Sequence, residues 1–331
     1  MTDTLRLLYD PDTLAPEAAA LLPRLADSDP AVRRIALLDL ADLEDEGSLQ
    51  PIIDALKQDA AADVRREAAQ VLASWERTEV VEALCNALLD ADTDVRDTAA
   101  QSLSELKDAA SGSVLTRWAG HADAFVKASV LRALRELRYT GAFDVATQAL
   151  VHTSAAVRRE AVGVLGWLKE PGALDSLASL ASADADPDVR RAAAGALGFA
   201  SADASGPVSA LLGALHDDAW QVREEAATTL GKLRALNARD ELIASLGDAY
   251  WQVRLRAARA LGRIGDAKAS APLATLLTHS ISNLRKEAAL ALGELGDRSV
   301  VAPLREALDD RDPDVRKAVR IALQQIESEN A

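Results

Sequence analysis

The chain repeats itself. Aligned on a Val-Arg dipeptide or its close equivalents, ten anchors fall at Val32, Val64, Val95, Val126, Val157, Val189, Val222, Val253, Leu284 and Val315, spaced 31 to 33 residues apart. A period of this length holds two short helices and their turns and leaves no room for a strand as well. Within a unit, an apolar stretch such as Val300 to Leu308 leads into an acidic loop, here Asp309 to Asp314, and then into a second helical stretch that begins near the anchor. A helix pair this small cannot cover its own apolar face. It must lean on the next pair, so stability is expected as a sum of intrinsic and nearest-neighbour terms.

The second helix carries the clearest pattern. Counting from the anchor, apolar residues recur at +4, +8 and +11, as in Ala257, Leu261 and Ile264 after Val253, and +8 is Leu in every unit. That spacing draws one stripe, and these positions are expected to face the core. Position +9 is Gly at Gly166, Gly198, Gly231, Gly262 and Gly293, which suits close approach of neighbouring helices. Asp312-Pro313-Asp314 reads as an N-cap, a proline at the first helical position and a carboxylate at the positive helix end; Asp186-Pro187-Asp188 repeats it and Asp29-Pro30 begins it. Gly265-Asp266 and Gly296-Asp297 read as C-caps. Hydrophobic residues make up 49% of the chain but aromatics only 3%, as suits many thin, closely packed helices.

These motifs together, Asp-Pro-Asp-Val-Arg, an Ala-rich helix and Leu-Gly-x-Leu-Gly-Asp as at Leu292 to Asp297, resemble HEAT repeats of the phycobilisome-lyase-like class over residues 16 to 327. The resemblance implies an all-α, right-handed α-solenoid of about ten two-helix repeats. It would form one continuous domain over residues 1–331: an N-terminal cap over 1–15, ten repeats over 16–327 and a polar tail at 328–331. Thr4 to Tyr9 and Glu327 to Ala331 are the candidate protective ends. The class includes scaffolds, assembly factors and a few enzymes, so function has to be argued from a site.

A basic residue follows every anchor: Arg33, Arg65, Arg96, Lys127, Arg158, Arg190, Arg223, Arg254, Arg285 and Arg316. By the resemblance, this row ladders with loop carboxylates such as Asp63, Asp94, Asp188 and Asp314 and links adjacent units. Nucleic acid is the competing reading. With 37 basic against 52 acidic side chains the formal charge is −15, and such a field repels nucleic acid and anionic membranes. A local basic patch still acts over the ~10 Å that salt allows. The single cysteine, Cys85, excludes an internal disulfide framework and any zinc site needing two thiolates. No basic-plus-apolar leader precedes Leu5 and no run of 18 apolar residues occurs, so a cytoplasmic protein is expected.

If +4, +8 and +11 face inward, then +2, +3, +6 and +10 project onto one surface, which in HEAT-type solenoids resembles the concave wall. In the first four units these positions read as polar or mixed, for example Arg66, Glu67, Gln70 and Ser74, with no dedicated pocket. Trp167 and Phe199 then occupy +10 in the fifth and sixth units. Trp220 and Trp251, with Tyr250, replace the loop Pro-Asp in the seventh and eighth, so aromatics before the helix should stack one repeat apart. The eighth unit adds Leu255, Arg256, Arg259 and Arg263. A guanidinium row beside tryptophans suits a protein partner with an acidic or carboxylate-rich surface. The competing reading has the aromatics packing across the groove between repeats and the arginines pairing with Glu224, Glu225 and Glu287. Trp75 and Trp118 read as core or groove fillers.

Evidence for catalysis is thin. Some HEAT-repeat proteins resemble deoxyhypusine hydroxylase, where His-Glu pairs hold two irons, but no His-Glu dipeptide occurs here. His121, His152, His216 and His279 lie five or six residues before an anchor, near the negative ends of first helices. No Walker-type phosphate loop, Gly-x-Ser-x-Gly elbow or Cys/His pair is found. The reading is a non-catalytic protein-binding scaffold, adaptor or assembly factor, without cofactor or metal, that captures a partner protein on its concave face, mainly through repeats five to eight. A phycobilin-lyase-like protein gripping a tetrapyrrole is the alternative, and a HEAT-like nucleic-acid binder a further one.

Overall fold

The computed structural model describes residues 15–328, so the candidate cap Thr4 to Tyr9 lies outside the described residues. The described residues hold helices and no strand. The chain divides into two compact units, Met1–Leu168 and Lys169–Ala331. In the first, α1 (Pro16–Leu25), α3 (Leu49–Gln58), α5 (Thr78–Ala87), α7 (Ser111–Trp118) and α9 (Phe143–Ala149) alternate with α2 (Pro30–Asp42), α4 (Ala62–Val71), α6 (Thr93–Ser104), α8 (Ala124–Glu136) and α10 (Ala155–Leu168). In the second, α11 (Leu174–Ala183), α13 (Ser205–Ala214), α15 (Arg239–Ser245), α17 (Ser270–Thr275) and α19 (Val301–Glu306) alternate with α12 (Pro187–Ala196), α14 (Trp220–Leu233), α16 (Trp251–Ile264), α18 (Ser282–Leu295) and α20 (Pro313–Ser328). Within each unit every even-numbered helix packs on its odd-numbered partner and on the next even-numbered helix. This is an all-α solenoid. The last helix takes in Glu327 and Ser328, so the polar tail starts later than its composition suggests.

Every even-numbered helix begins two residues before its anchor. The anchors are fully buried from Val64 to Val315, while Val32, on the first pair, is half-buried. The leucines at +8 are buried throughout, as are the residues at +4. Position +11 departs from expectation: Leu106 and Ile326 are buried, but Leu137, Leu168, Leu233, Ile264 and Leu295 are half-buried and Leu43 is exposed. It falls in the last turn or beyond, where the chain leaves the packed face. Position +5 takes its place in the core, as at Leu37, Leu131 and Ala258.

The +9 glycines of the second unit sit against the next second helix. A Cβ on Gly231 would lie 2.7 Å from the Ala260 Cα, on Gly262 2.9 Å from the Ala291 Cα, and on Gly293 2.8 Å from the Ala322 Cα. Small residues at +9 and +7 let consecutive helices approach backbone to backbone. Position +12 is left-handed at Gly265 (φ 76°) and Gly296 (φ 65°), as the C-cap reading requires, and also at Glu44, Arg138, Lys169 and Arg234 (φ 50° to 57°). Those four pay the steric cost of a Cβ in that region. At the other end, Asp29, Asp92, Asp123, Asp186 and Asp312 accept backbone N–H groups as N-caps. Ala219 and Tyr250 make no such bond before the tryptophan-led helices α14 and α16.

Candidate binding surface

The +1 arginines are structural, but their partners are not the expected ones. Five of them pair with the aspartate five residues before the next anchor: Arg33 with Asp59 (2.7 Å), Arg65 with Asp90 (2.7 Å), Arg190 with Asp217 (2.6 Å), Arg223 with Asp248 (2.7 Å) and Arg285 with Asp310 (2.6 Å). All five are two-pronged, with Nε and Nη2 donating to the two carboxylate oxygens. The same arginine's Nη1 donates to the carbonyl at −5 of its own unit, as from Arg285 to His279 O at 2.8 Å. One guanidinium thus closes its own loop and clamps the next. The clamp is nearly dry, with the Arg285 and Asp310 side chains 5% and 9% exposed. The Arg65 and Arg285 hydrogen bonds hold the Asp90 and Asp310 carboxyls below the ordinary range; at Asp217 and Asp248 burial opposes this, yet the arginine and backbone bonds prevail. Asp63, Asp94, Asp188 and Asp314 lie on the exposed first turn and meet Arg66, Arg191 or Lys286 at 3.4 to 4.0 Å.

This clamp explains three of the four histidines. His121, His152 and His279 occupy the −5 position, and each Nδ1 accepts the backbone N–H two residues on at 3.0 Å, just as the aspartates do. His216 lies one residue earlier, its Nε2 2.9 Å from Glu241 Oε2. The signal was present in the aligned sequence, where −5 is Asp or His in every unit.

The aromatic and arginine candidates of the second unit are spread along its second helices. Trp220, Tyr250 and Trp251 lie where α14 and α16 begin. The Trp220 and Tyr250 rings stack across the repeat, centroids 5.3 Å apart and 14° from parallel, and the Arg223 guanidinium lies 5.7 Å from the Tyr250 centroid. Tyr250 is 45% and Trp251 36% exposed, while Trp220 is half-buried. Arg263 lies in the last turn of α16, about 18 Å along the axis from Trp251 at ~1.5 Å per residue. Phe199 ends the short 3₁₀ turn after α12, half-buried, and Trp167 lies half-buried in the last turn of α10 in the first unit. Leu255 is half-buried.

Two of the three arginines are already engaged. Arg256 Nε donates to Glu224 at 3.0 Å, and Arg259 makes a two-pronged pair with Glu287 at 2.7 Å, which raises the guanidinium pKa further. Arg263 is exposed and makes no ion pair among the described residues. Glu225, crowded against Gly195, has its carboxyl pushed up by burial. Trp118 is half-buried with Nε1 donating to Glu82 at 2.7 Å, and Trp75 is half-buried in a groove of the first unit. The first pair is also less polar than its repeat pattern suggested, because Ile35 and Leu38 project from +3 and +6. Cys85 is buried, and desolvation raises its thiol pKa far above the ordinary value, so it is inert at neutral pH. Among the described residues no helix is long and apolar enough to cross a membrane.

Similarity to known proteins agrees with this architecture. No curated protein matches the sequence. Solved structures do: an engineered protein at 22% identity and TM-score 0.58, covering 95% of this chain and 99% of its own; the Escherichia coli protein YibA at 19% and 0.60, covering 82% and 98%; and Kap95p in complex with RanGDP at 15% and 0.67, covering 97% of this chain and 51% of Kap95p. At these identities the likeness is one of fold. The pattern of the HEAT-repeat family matches residues 49–135, 114–198, 176–248 and 239–324. With that pattern spread over most of its length, and with ten anchored helix pairs, the chain belongs to the HEAT-repeat family.

Proposed function

We propose that this chain is a cytoplasmic, non-catalytic scaffold that captures a partner protein on the outward surface of its second helices, with the main contact in the seventh and eighth repeats. The observation that carries the reading is the exposed pair Tyr250 and Trp251, backed by the stacked Trp220. These side chains stand at helix starts where five of the other eight repeats place aspartate, three of them followed by proline, and Trp and Tyr are among the residues that most often dominate binding energy. Kap95p, of similar fold, binds RanGDP and Nup1, which supports partner capture as the use of this architecture. The repeats are read as the phycobilisome-lyase-like class on their Leu-Gly-x-Leu-Gly-Asp motif. An acidic partner surface is proposed for the Arg263 end alone. At Arg256 and Arg259 a partner carboxylate would have to displace Glu224 or Glu287.

The test is capture of endogenous partners from native lysate by the parent chain, Tyr250→Ala with Trp251→Ala, and Arg263→Glu. Loss of an aromatic hot spot costs about 2 kcal/mol, or ~30-fold in affinity. The double variant should release the partner while its helical circular dichroism is unchanged. Equal recovery by parent and double variant refutes the assignment.

A further inference from the structure

We propose a second docking surface, on the first two helix pairs, for a protein segment that presents an apolar stripe flanked by lysine or arginine. On α2, Ile35 and Leu38 are 49% and 41% exposed, one turn apart on the same face. The equivalent positions are Glu67 and Gln70 on α4, and Thr98 and Gln101 on α6, so among the first three pairs only the first carries this apolar face. Beside it runs a groove of about 570 Å³ lined by Leu38, Ala41, Asp42, Glu44, Val71 and Trp75, among others. Leu38, Ala41, Val71 and Trp75 supply its apolar lining, with Ser74 between them. Its rim carries the exposed carboxylates of Asp42 and Glu44.

Charge complementarity selects the occupant. Residues 1–100 contain 22 acidic and 9 basic side chains, whereas residues 101–331 contain 30 and 28, so almost all of the net charge of −15 resides in the first hundred residues. The arginines of α1 and α2 are spent: Arg24 on Asp39, Arg33 on Asp59 and Arg34 on Glu67. None is left to neutralise Asp42 and Glu44. The chain's own residues 1–14 offer Leu5, Leu7 and Leu8 but carry Asp3, Asp10 and Asp12 against Arg6, so they would bring acid to acid. A basic amphipathic segment meets both features at once: apolar side chains enter the groove and cations reach its rim. This surface is independent of the aromatic rim and stands or falls without it.

The experiment is fluorescence anisotropy of a labelled leucine-lysine amphipathic peptide at low ionic strength, with a glutamate-for-lysine counterpart as control. The full chain is compared with Leu38→Lys, with Asp42→Lys plus Glu44→Lys, and with Glu170→Lys plus Asp203→Lys, which makes the same charge change at exposed sites of the second unit. Either groove variant should weaken binding about tenfold or more, as loss of a hot spot does. The second-unit variant should change it less than about twofold, and the glutamate peptide should not bind. Equal weakening by the two charge-matched variants means bulk attraction and overturns the proposal. So does an unaltered affinity in both groove variants, or binding that appears only after residues 1–14 are deleted, which would make the N-terminal segment the occupant.

Discussion

Replacing His279 by aspartate should stabilise the second unit, because the clamp is incomplete at that step. The Ile281 N–H donates to His279 Nδ1, so the neutral ring carries its proton on Nε2, and Nε2 lies 3.2 Å from Arg254 Nη1. Whichever tautomer forms, one of these two contacts sets donor against donor. The Arg254 Nε is buried and without a hydrogen-bond partner. At Asp310 and Asp248 a carboxylate in the same place accepts the backbone N–H and both guanidinium prongs. His279→Asp should create that geometry. A charge-assisted pair is worth ~1.5–3 kcal/mol, and satisfying a buried donor recovers ~1–3 kcal/mol, set against the desolvation of a new carboxylate. A net gain of about 2 kcal/mol raises Tm by roughly 4–8 °C in a cooperative unit of this size. The assay is a double-mutant cycle of His279→Asp with Arg254→Gln in urea melts. The gain should vanish in the Arg254→Gln background. A variant that is neutral or destabilised, or a gain that survives without the guanidinium, refutes the clamp as the source of inter-repeat stability.

Because Asp90, Asp217, Asp248 and Asp310 have lowered folded-state pKa values, their contribution is full above the unfolded carboxylate pKa of ~3.9 and is lost as pH falls through the lower folded values. Tm should therefore be nearly level from pH 7 to about 5 and drop steeply below about 4, with Asp310→Asn shallowing the drop. Gly262→Ala places a methyl group 2.9 Å from the Ala291 Cα and should cost ~1–2 kcal/mol, whereas Gly213→Ala, with open space around it, should gain ~0.5–1 kcal/mol; chemical denaturation reads both. Arg234→Gly relieves a left-handed residue at φ 53° and should add about 1 kcal/mol by the same assay.

The fold was legible because a period near 31 residues with an invariant leucine at +8 permits few architectures, and the helices do start in register with the anchors. Which loop carboxylate meets each arginine was not legible. Asp63 and Asp314 sit beside their arginines in sequence, but an adjacent helical residue points elsewhere, and the carboxylate that reaches Arg33 or Arg285 comes from 25 or 26 residues on. The same lesson applies to the arginine row: spacing placed Arg256, Arg259 and Arg263 together, but only neighbouring repeats decide which of them is neutralised, and Glu224 and Glu287 take two. The stacking of pre-helix aromatics was readable from their spacing, because Trp220 and Tyr250 occupy nearly equivalent positions in successive repeats. Exposure of Ile35 and Leu38 was hidden by the assumption that the early units are polar.

Site-specific photocrosslinking in native lysate reports whether a partner protein rests on the aromatic rim of the seventh and eighth repeats. A benzophenone side chain replaces Trp251 in one protein and Thr275, an exposed residue of α17, in another. A discrete heavier adduct from position 251, absent at 275, is the predicted result. Adducts of equal yield at both positions, or none at 251 while the chain still co-purifies with a partner, would contradict it.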